Sequence, residues 1–228
     1  MANLSRLTLP GKTPHEAVPR GLGEADLGDL RFRALLPGED WAALPAAVRR
    51  RFSKRLNSGA TAVYIGRVTA VSISPLGRLL AQVLRPVGAP LPLSRATGVA
   101  SIVTVTEDAK TGGQIWTRIY GRAQGFPQVI HSVKCFSGPT GLEERIGYGI
   151  AMSLTISVAD GALVFKAKDY FVTLGRHRMT LPGWLTPGYL TVTHRATSET
   201  AFLFILDLRH PLFGALLHQE ALFESEVL

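Results

Sequence analysis

The chain has 228 residues, 46% hydrophobic and 18% charged, with a net charge of +8 and a pI near 10.1. That is apolar material for one sizeable core inside a basic surface, which favours phosphates, anionic lipid or nucleic acid as partners. A lone cysteine, Cys135, excludes an internal disulfide; no apolar run is long enough for a membrane helix and the N-terminus lacks a signal-peptide core, so a cytoplasmic protein is expected.

Residues 1–40 are rich in Gly, Pro and charge and read as an irregular arm, of which "GDLRFRALLPG" is the part able to dock on the rest of the chain. Residues 41–228 read as a single antiparallel β-rich domain. It opens with "ALPAAVRRRFSKRL", where Leu44, Val48, Phe52 and Leu56 recur every fourth residue and Pro45 suits a first helical turn. The back of that helix carries Arg49, Arg50 and Arg51. Such a basic run is either a solvated face or a contact to an anionic membrane surface.

"ATAVYIGRVTAVSIS" comes next, β-branched and apolar on both faces, as in a strand covered on both sides. Ser74 then caps a second helix with Pro75 in its first turn. Leu76, Leu79, Leu80, Val83 and Leu84 are spaced to share the face that packs on the sheet.

From Gly98 onward the pattern is β. "VASIVTVTE", "QIWTRIYGR", "PQVIHSVKCFS", a long "LEERIGYGIAMSLTISV", "ALVFKAKDYFVTL", "YLTVTHRAT", "ETAFLFILDL" and "LLHQEALFES" are separated by turn signals, with "GRHRMTLPGWLTPG" irregular. The fold class is therefore α+β, mostly β: a curved antiparallel sheet or barrel of about nine strands, with an N-terminal basic helix and one amphipathic helix after the first strand.

"LPAAVRRRF", "WTRIYG", "LEERIGYG", "LPGWLTP" and "RHPLFGALLHQEALF", in that order, resemble the bacterial family called domain of unknown function 4166, from Trp41 to Phe223. The His210–Gly214 element is the most distinctive of these patterns. The resemblance implies an antiparallel β-rich domain and, because family members occur alone or attached to nicotinamide-binding reductase-like or membrane segments, allows a reductase-type partner protein. It implies no established activity.

Phosphate loops, nucleophile elbows and zinc spacings are missing from the sequence, so no cofactor and no metal is expected. What remains is polar residues set in apolar strands. Trp116, Arg118 and Tyr120 share one face of their strand, opposite Ile115, Thr117 and Ile119. An arginine between two aromatics makes a clamp for a carboxylate or a planar ligand, and inside a core it needs a counter-charge. Asp169 and Asp207 are the carboxylates set deepest in apolar strands. Each is either Arg118's partner or a proton carrier with a raised pKa. Trp116, Arg118, Tyr120, His131 and Glu144 form the candidate ligand-binding set; Asp169, Asp207 and His210 form the catalytic one. Against these readings stand an outward-facing stripe, a structural ion pair and a structural His210 that bonds across its own turn.

The leading expectation is a cavity-forming domain that binds a hydrophobic or lipid-like small molecule with an acidic or carbonyl group. The alternative is a cofactor-free isomerase, cyclase or hydratase in the same cavity. Nucleic-acid binding is not expected, because only 8% of residues are aromatic and the basic residues concentrate on one helix.

Overall fold

A computed structural model describes residues 29–54, 56, 59–88 and 90–225; residues 1–28 of the expected arm, and Arg55 in the stretch expected as the basic helix, lie outside the described residues. Two short helices, α1 (Gly38–Ala43) and α2 (Ala46–Phe52), precede strand β1 (Thr61–Ile73), which leads into helix α3 (Pro75–Val83). Strands β2 (Ala100–Asp108), β3 (Gly113–Tyr120), β4 (Gln128–Cys135), β5 (Glu143–Gly147) and β6 (Ile150–Ala159) come after it. The chain finishes with β7 (Ala162–Leu174), β8 (His177–Thr180), β9 (Tyr189–Ala196), β10 (Ala201–His210) and β11 (Gly214–Ser225).

The strands pair antiparallel in the order β6-β5-β4-β3-β2-β1-β11-β10-β9-β7, and β6 pairs with β7. The sheet thus closes on itself as a ten-stranded barrel, and β8 hangs from the upper part of β7 as an extra strand. Closure leaves no wall strand without a neighbour on each side, and β8 is paired on one side only.

Of the curved sheet and the barrel expected, the barrel is found, with ten wall strands and one extra instead of about nine. The stretch expected as one strand from Leu142 to Val158 is a hairpin, because Tyr148 (φ 52°) and Gly149 (φ 78°) turn the chain between β5 and β6. Two successive positive φ values are what a tight hairpin turn of matching twist requires. Asp160 (φ 50°) and Gly161 (φ 69°) make the same turn between β6 and β7, and there "ADG" announces it. "HRMT", expected as irregular, pairs with β7 as β8.

Burial along the strands is one-sided. On β10, Phe202, Phe204, Leu206 and Leu208 point into the barrel while Leu203, Ile205 and Asp207 are half-buried outside. β1 behaves likewise, with Ala62, Tyr64 and Val68 inside and Ile65 exposed, so it is not covered on both faces as expected. Gly66 is forced: a side chain there would strike the Leu222 carbonyl and the Phe223 ring.

At one end, residues 29–54 stopper the barrel. Phe32, fully buried, sits edge-on to Phe52 (5.2 Å), Phe136 (4.9 Å) and Phe165 (6.0 Å), so part of the stretch expected to dock does dock. Asp29, also buried, takes Arg31 through both carboxylate oxygens, and Arg31 also donates to the Gly112 carbonyl.

At the other end α3 begins as expected. Ser74 accepts the Gly77 amide at 3.0 Å, and Pro75 occupies the first turn. Its packing face differs from the expected one. Gly77 and Ala81 are buried, with Leu80 and Leu84 flanking them, whereas Leu76, Leu79 and Val83 are exposed. The cause is contact distance. Gly77 lies so close to the Leu216 carbonyl of β11 that the helix must approach through its small residues.

Candidate functional site

An eight-stranded barrel is just wide enough to be filled by its side chains. Ten strands leave more room, and this barrel uses it in two tiers. Near the stoppered end an aromatic cluster fills the interior, with His194 at its heart. The His194 ring lies edge-on to Phe52 (5.1 Å), Phe204 (5.3 Å), Phe165 (5.7 Å) and Trp116 (5.9 Å), and parallel to Phe202 at 6.0 Å. Burial first, then the charges of Arg51, Lys134 and Arg118, push its pKa well below the ordinary value, so the imidazole is neutral at pH 7.

Above that cluster lies a cavity of about 80 Å³. Its walls include Ile130, Met152, Phe204, Leu206 and Leu208, and Tyr120, Tyr170, Ser132, Arg118 and Glu144 supply its polar atoms. One water needs roughly 10–15 Å³ of such space, so the cavity admits several water-sized groups.

Two segments cover it. The first, 84–93, folds over the top and contributes Leu84, Pro90, Leu91 and Pro92 to the lining. The Gln128 side chain clasps it, donating to the Leu91 carbonyl and accepting the Leu93 amide, both at 2.9 Å. The second, 181–188, bridges a divergence in the wall. β7 pairs with β9 only over Leu163–Lys166, and beyond that β7 pairs with β8 instead. The Leu181 amide donates to the Tyr170 carbonyl and the Tyr170 hydroxyl donates to the Gly188 carbonyl at 3.1 Å, which ties this segment down at both ends.

The charged cluster sits in the cavity wall. β3, β4 and β5 are neighbours, and their register places Arg118, Ser132, Lys134 and Glu144 on the same inward face. Arg118 Nη2 meets Glu144 Oε1 at 3.2 Å and Nη1 donates to Ser132 Oγ at 3.1 Å. Lys134 Nζ donates to Glu144 Oε2 at 3.0 Å and stands over the Trp116 ring at 4.8 Å. Burial pushes the Glu144 carboxyl up, but Lys134 and Arg118 outweigh it and hold its pKa at about 2. Burial draws the Lys134 ammonium down, and Glu144 opposes that.

A third cation comes from α2. The Arg51 guanidinium lies over the Phe202 ring at 3.7 Å, with Nε and Nη1 buried and unpartnered among the described residues. Burial pushes its pKa down to about 10. Arg50, its neighbour, pairs with Glu199 on the surface. The barrel interior therefore carries more positive than negative side chains.

The expected site residues divide sharply. The Trp116–Arg118–Tyr120 face does look inward. Arg118 and Tyr120 line the cavity, while Trp116 lies beneath it and donates its ring N–H to Gln114 at 3.2 Å. Ile115, Thr117 and Ile119 are half-buried on the outer wall, away from α3, which packs on β11. Glu144 faces the cavity. His131 borders the cavity too, while its ring bonds Thr117 on the outer face at 3.1 Å.

Neither aspartate is Arg118's partner; Glu144 is. Asp169 lies outside because β7 bulges: Ser153 pairs with Asp169 but Leu154 pairs with Ala167, so Lys168 is an extra residue that flips the phase. Phe165 and Tyr170 are then the inward residues, and Asp169 exchanges hydrogen bonds with Ser153 on the exposed side. Asp207 meets the His218 ring at 2.8 Å on the outer face. His210 stacks on Phe213 at 4.7 Å and accepts the Leu212 amide at 3.2 Å, which secures the turn between β10 and β11. No cluster of His, Cys, Asp or Glu suited to a metal ion occurs among the described residues.

A family model described as a domain of unknown function, DUF4166, matches residues 44–223. The chain belongs to this family. No curated protein and no solved structure matches it. The matched DUF4166 segment runs from Leu44, beside the stopper helix α2, to Phe223 near the end of β11. It thus contains every wall strand and the whole Arg118–Glu144–Lys134 cluster.

Three polar residues of the DUF4166 interior were missed. Lys134 and Ser132 alternate with Ile130 on one face of β4, a mixed face like that of β3, and pairing the two mixed faces was the available signal. Arg51 had none, because one inward arginine in "RRR" looks like its neighbours.

Proposed function

We propose that the barrel binds an amphipathic small molecule, with the apolar part between Ile130, Met152, Leu206 and Leu208 and an acidic or carbonyl group at Arg118. The observation that carries this reading is the pairing of an apolar cavity with an interior surplus of positive charge. Arg118 and Lys134 share one carboxylate, Glu144, and Arg51 adds a third cation over Phe202 in the aromatic tier beneath. A buried charge is costly unless paired, so an incoming carboxylate or carbonyl meets donors that the fold leaves under-used. The cavity admits several water-sized groups, so the shorter amphiphiles are the expected ligands.

A proton-transfer reading has less behind it. General acid–base work near neutrality needs a group whose pKa lies near the working pH, and Glu144, the cavity carboxylate, is held at about 2. Binding without chemistry is the function we infer.

Native mass spectrometry of the protein, incubated with a mixture of free fatty acids of different lengths, tests this. One bound amphiphile per chain is expected, drawn from the shorter members, and Ile130→Trp, which fills the cavity, should remove it. A wild-type spectrum with no bound species overturns the proposal.

A further inference from the structure

β1, β3, β5, β7 and β10 all run toward the cavity end of the barrel, so segments 74–99, 121–127, 148–149, 175–188 and 209–213 all emerge there. Together they form the rim. Two properties of the rim coincide. Among the described residues, every exposed large hydrophobic except Leu30 and Ile65 belongs to this end. Phe126 is 92% exposed, Leu212 83%, Trp184 81% and Tyr148 79%, with Leu79 and Val83 beside them on α3. Side chains of this size gathered at one end of a molecule mark an interaction surface.

Charge is the second property. The rim segments carry seven arginines and neither Asp nor Glu. Arg78, Arg122, Arg176 and Arg209 are exposed and have no carboxylate partner among the described residues. The stoppered end is mixed instead, with Glu39, Asp40, Asp160 and Glu199 among its basic residues.

We infer that the rim docks on an anionic lipid surface, with Trp184, Phe126, Tyr148 and Leu212 entering the interface and the arginines meeting lipid phosphates. Aromatic rings are favoured at the boundary between hydrocarbon and water, and arginines near an anionic bilayer add attraction that salt screens. No helix among the described residues is long and apolar enough to cross a membrane, and surface docking needs none. On α2, by comparison, Arg51 turns inward and Arg50 pairs with Glu199. Docking by the rim is independent of what fills the cavity, although it puts the cavity's cover against the bilayer.

Vesicle sedimentation with tryptophan fluorescence tests it. Trp41 and Trp116 are buried, so a change in emission on binding reports Trp184. The full chain should bind vesicles containing phosphatidylglycerol, with a blue shift that brominated acyl chains quench, and binding should fade as salt rises. It should not bind pure phosphatidylcholine. Joint Arg78→Glu, Arg122→Glu and Arg176→Glu should weaken partitioning at least about tenfold. Arg33→Glu with Lys110→Glu, at the stoppered end, should leave it unchanged. Ile130→Trp should bind vesicles like the wild type, which separates this test from that of the cavity. Absence of binding, equal sensitivity of both ends, or a dimer in which Trp184 is already shielded without lipid would overturn the inference.

Discussion

Glu144 is the residue on which the interior charge balance turns, since Arg118 and Lys134 share its two oxygens. Glu144→Gln leaves two buried cations without a counter-ion, and removing one partner of a buried pair costs about 3–5 kcal/mol. A drop of several degrees or more in melting temperature is expected. The pH dependence has a definite sign. The folded pKa is depressed to about 2 from the ordinary 4.5, so the ionised carboxylate contributes stability that is complete above about pH 4.5. It is lost as pH falls from there toward 2. Thermal melts of Glu144→Gln should therefore depend less on pH than the wild type across that window, and identical slopes would contradict the assignment. The Trp116–Arg118–Tyr120 face could be read from strict alternation, because β3 has no bulge and its pattern stays in phase. Asp169 could not, because one extra residue, Lys168, reverses the phase of β7 just before it.

Elements show the same division between what spacing reveals and what close contact decides. Ser74 and Pro75 mark the start of α3 in sequence as plainly as in space. The packing face went the other way, since leucine spacing says nothing of the distance to a neighbouring backbone. Gly77 sets that distance against Leu216. Gly77→Ala should push α3 off β11 and destabilise the fold by about 1–3 kcal/mol, as overpacking does. Leu79→Ser, on the exposed face, should stay within about 0.5 kcal/mol of wild type. Denaturant unfolding of the two variants checks both, and a larger loss for Leu79→Ser would restore the leucine face as the buried one. The β5–β6 hairpin escaped notice for a different reason. Tyr148 is a poor candidate for a positive φ, whereas Asp160 in the equivalent turn is a common one.

For the whole molecule, an antiparallel β-rich domain was legible, while closure was one of two forms that the sequence left open. Strand runs and hairpin-length links allow a curved sheet or a barrel, and the pairing of β6 with β7 decides for the barrel. Polar satisfaction inside that barrel is incomplete: His194 Nδ1, Gln219 Oε1 and two Arg51 nitrogens lack partners among the described residues. The proposed occupant of the cavity is an amphipathic ligand whose polar group answers Arg118. Calorimetric titration with decanoate, against decanol as the uncharged match, tests that most directly. A single site is predicted on the wild type, with decanol at least about tenfold weaker because a charge-assisted hydrogen bond is lost. Ile130→Trp should abolish binding, and Arg118→Leu should erase the preference for the acid. No heat with wild-type protein, or equal binding after the cavity is filled, would contradict it.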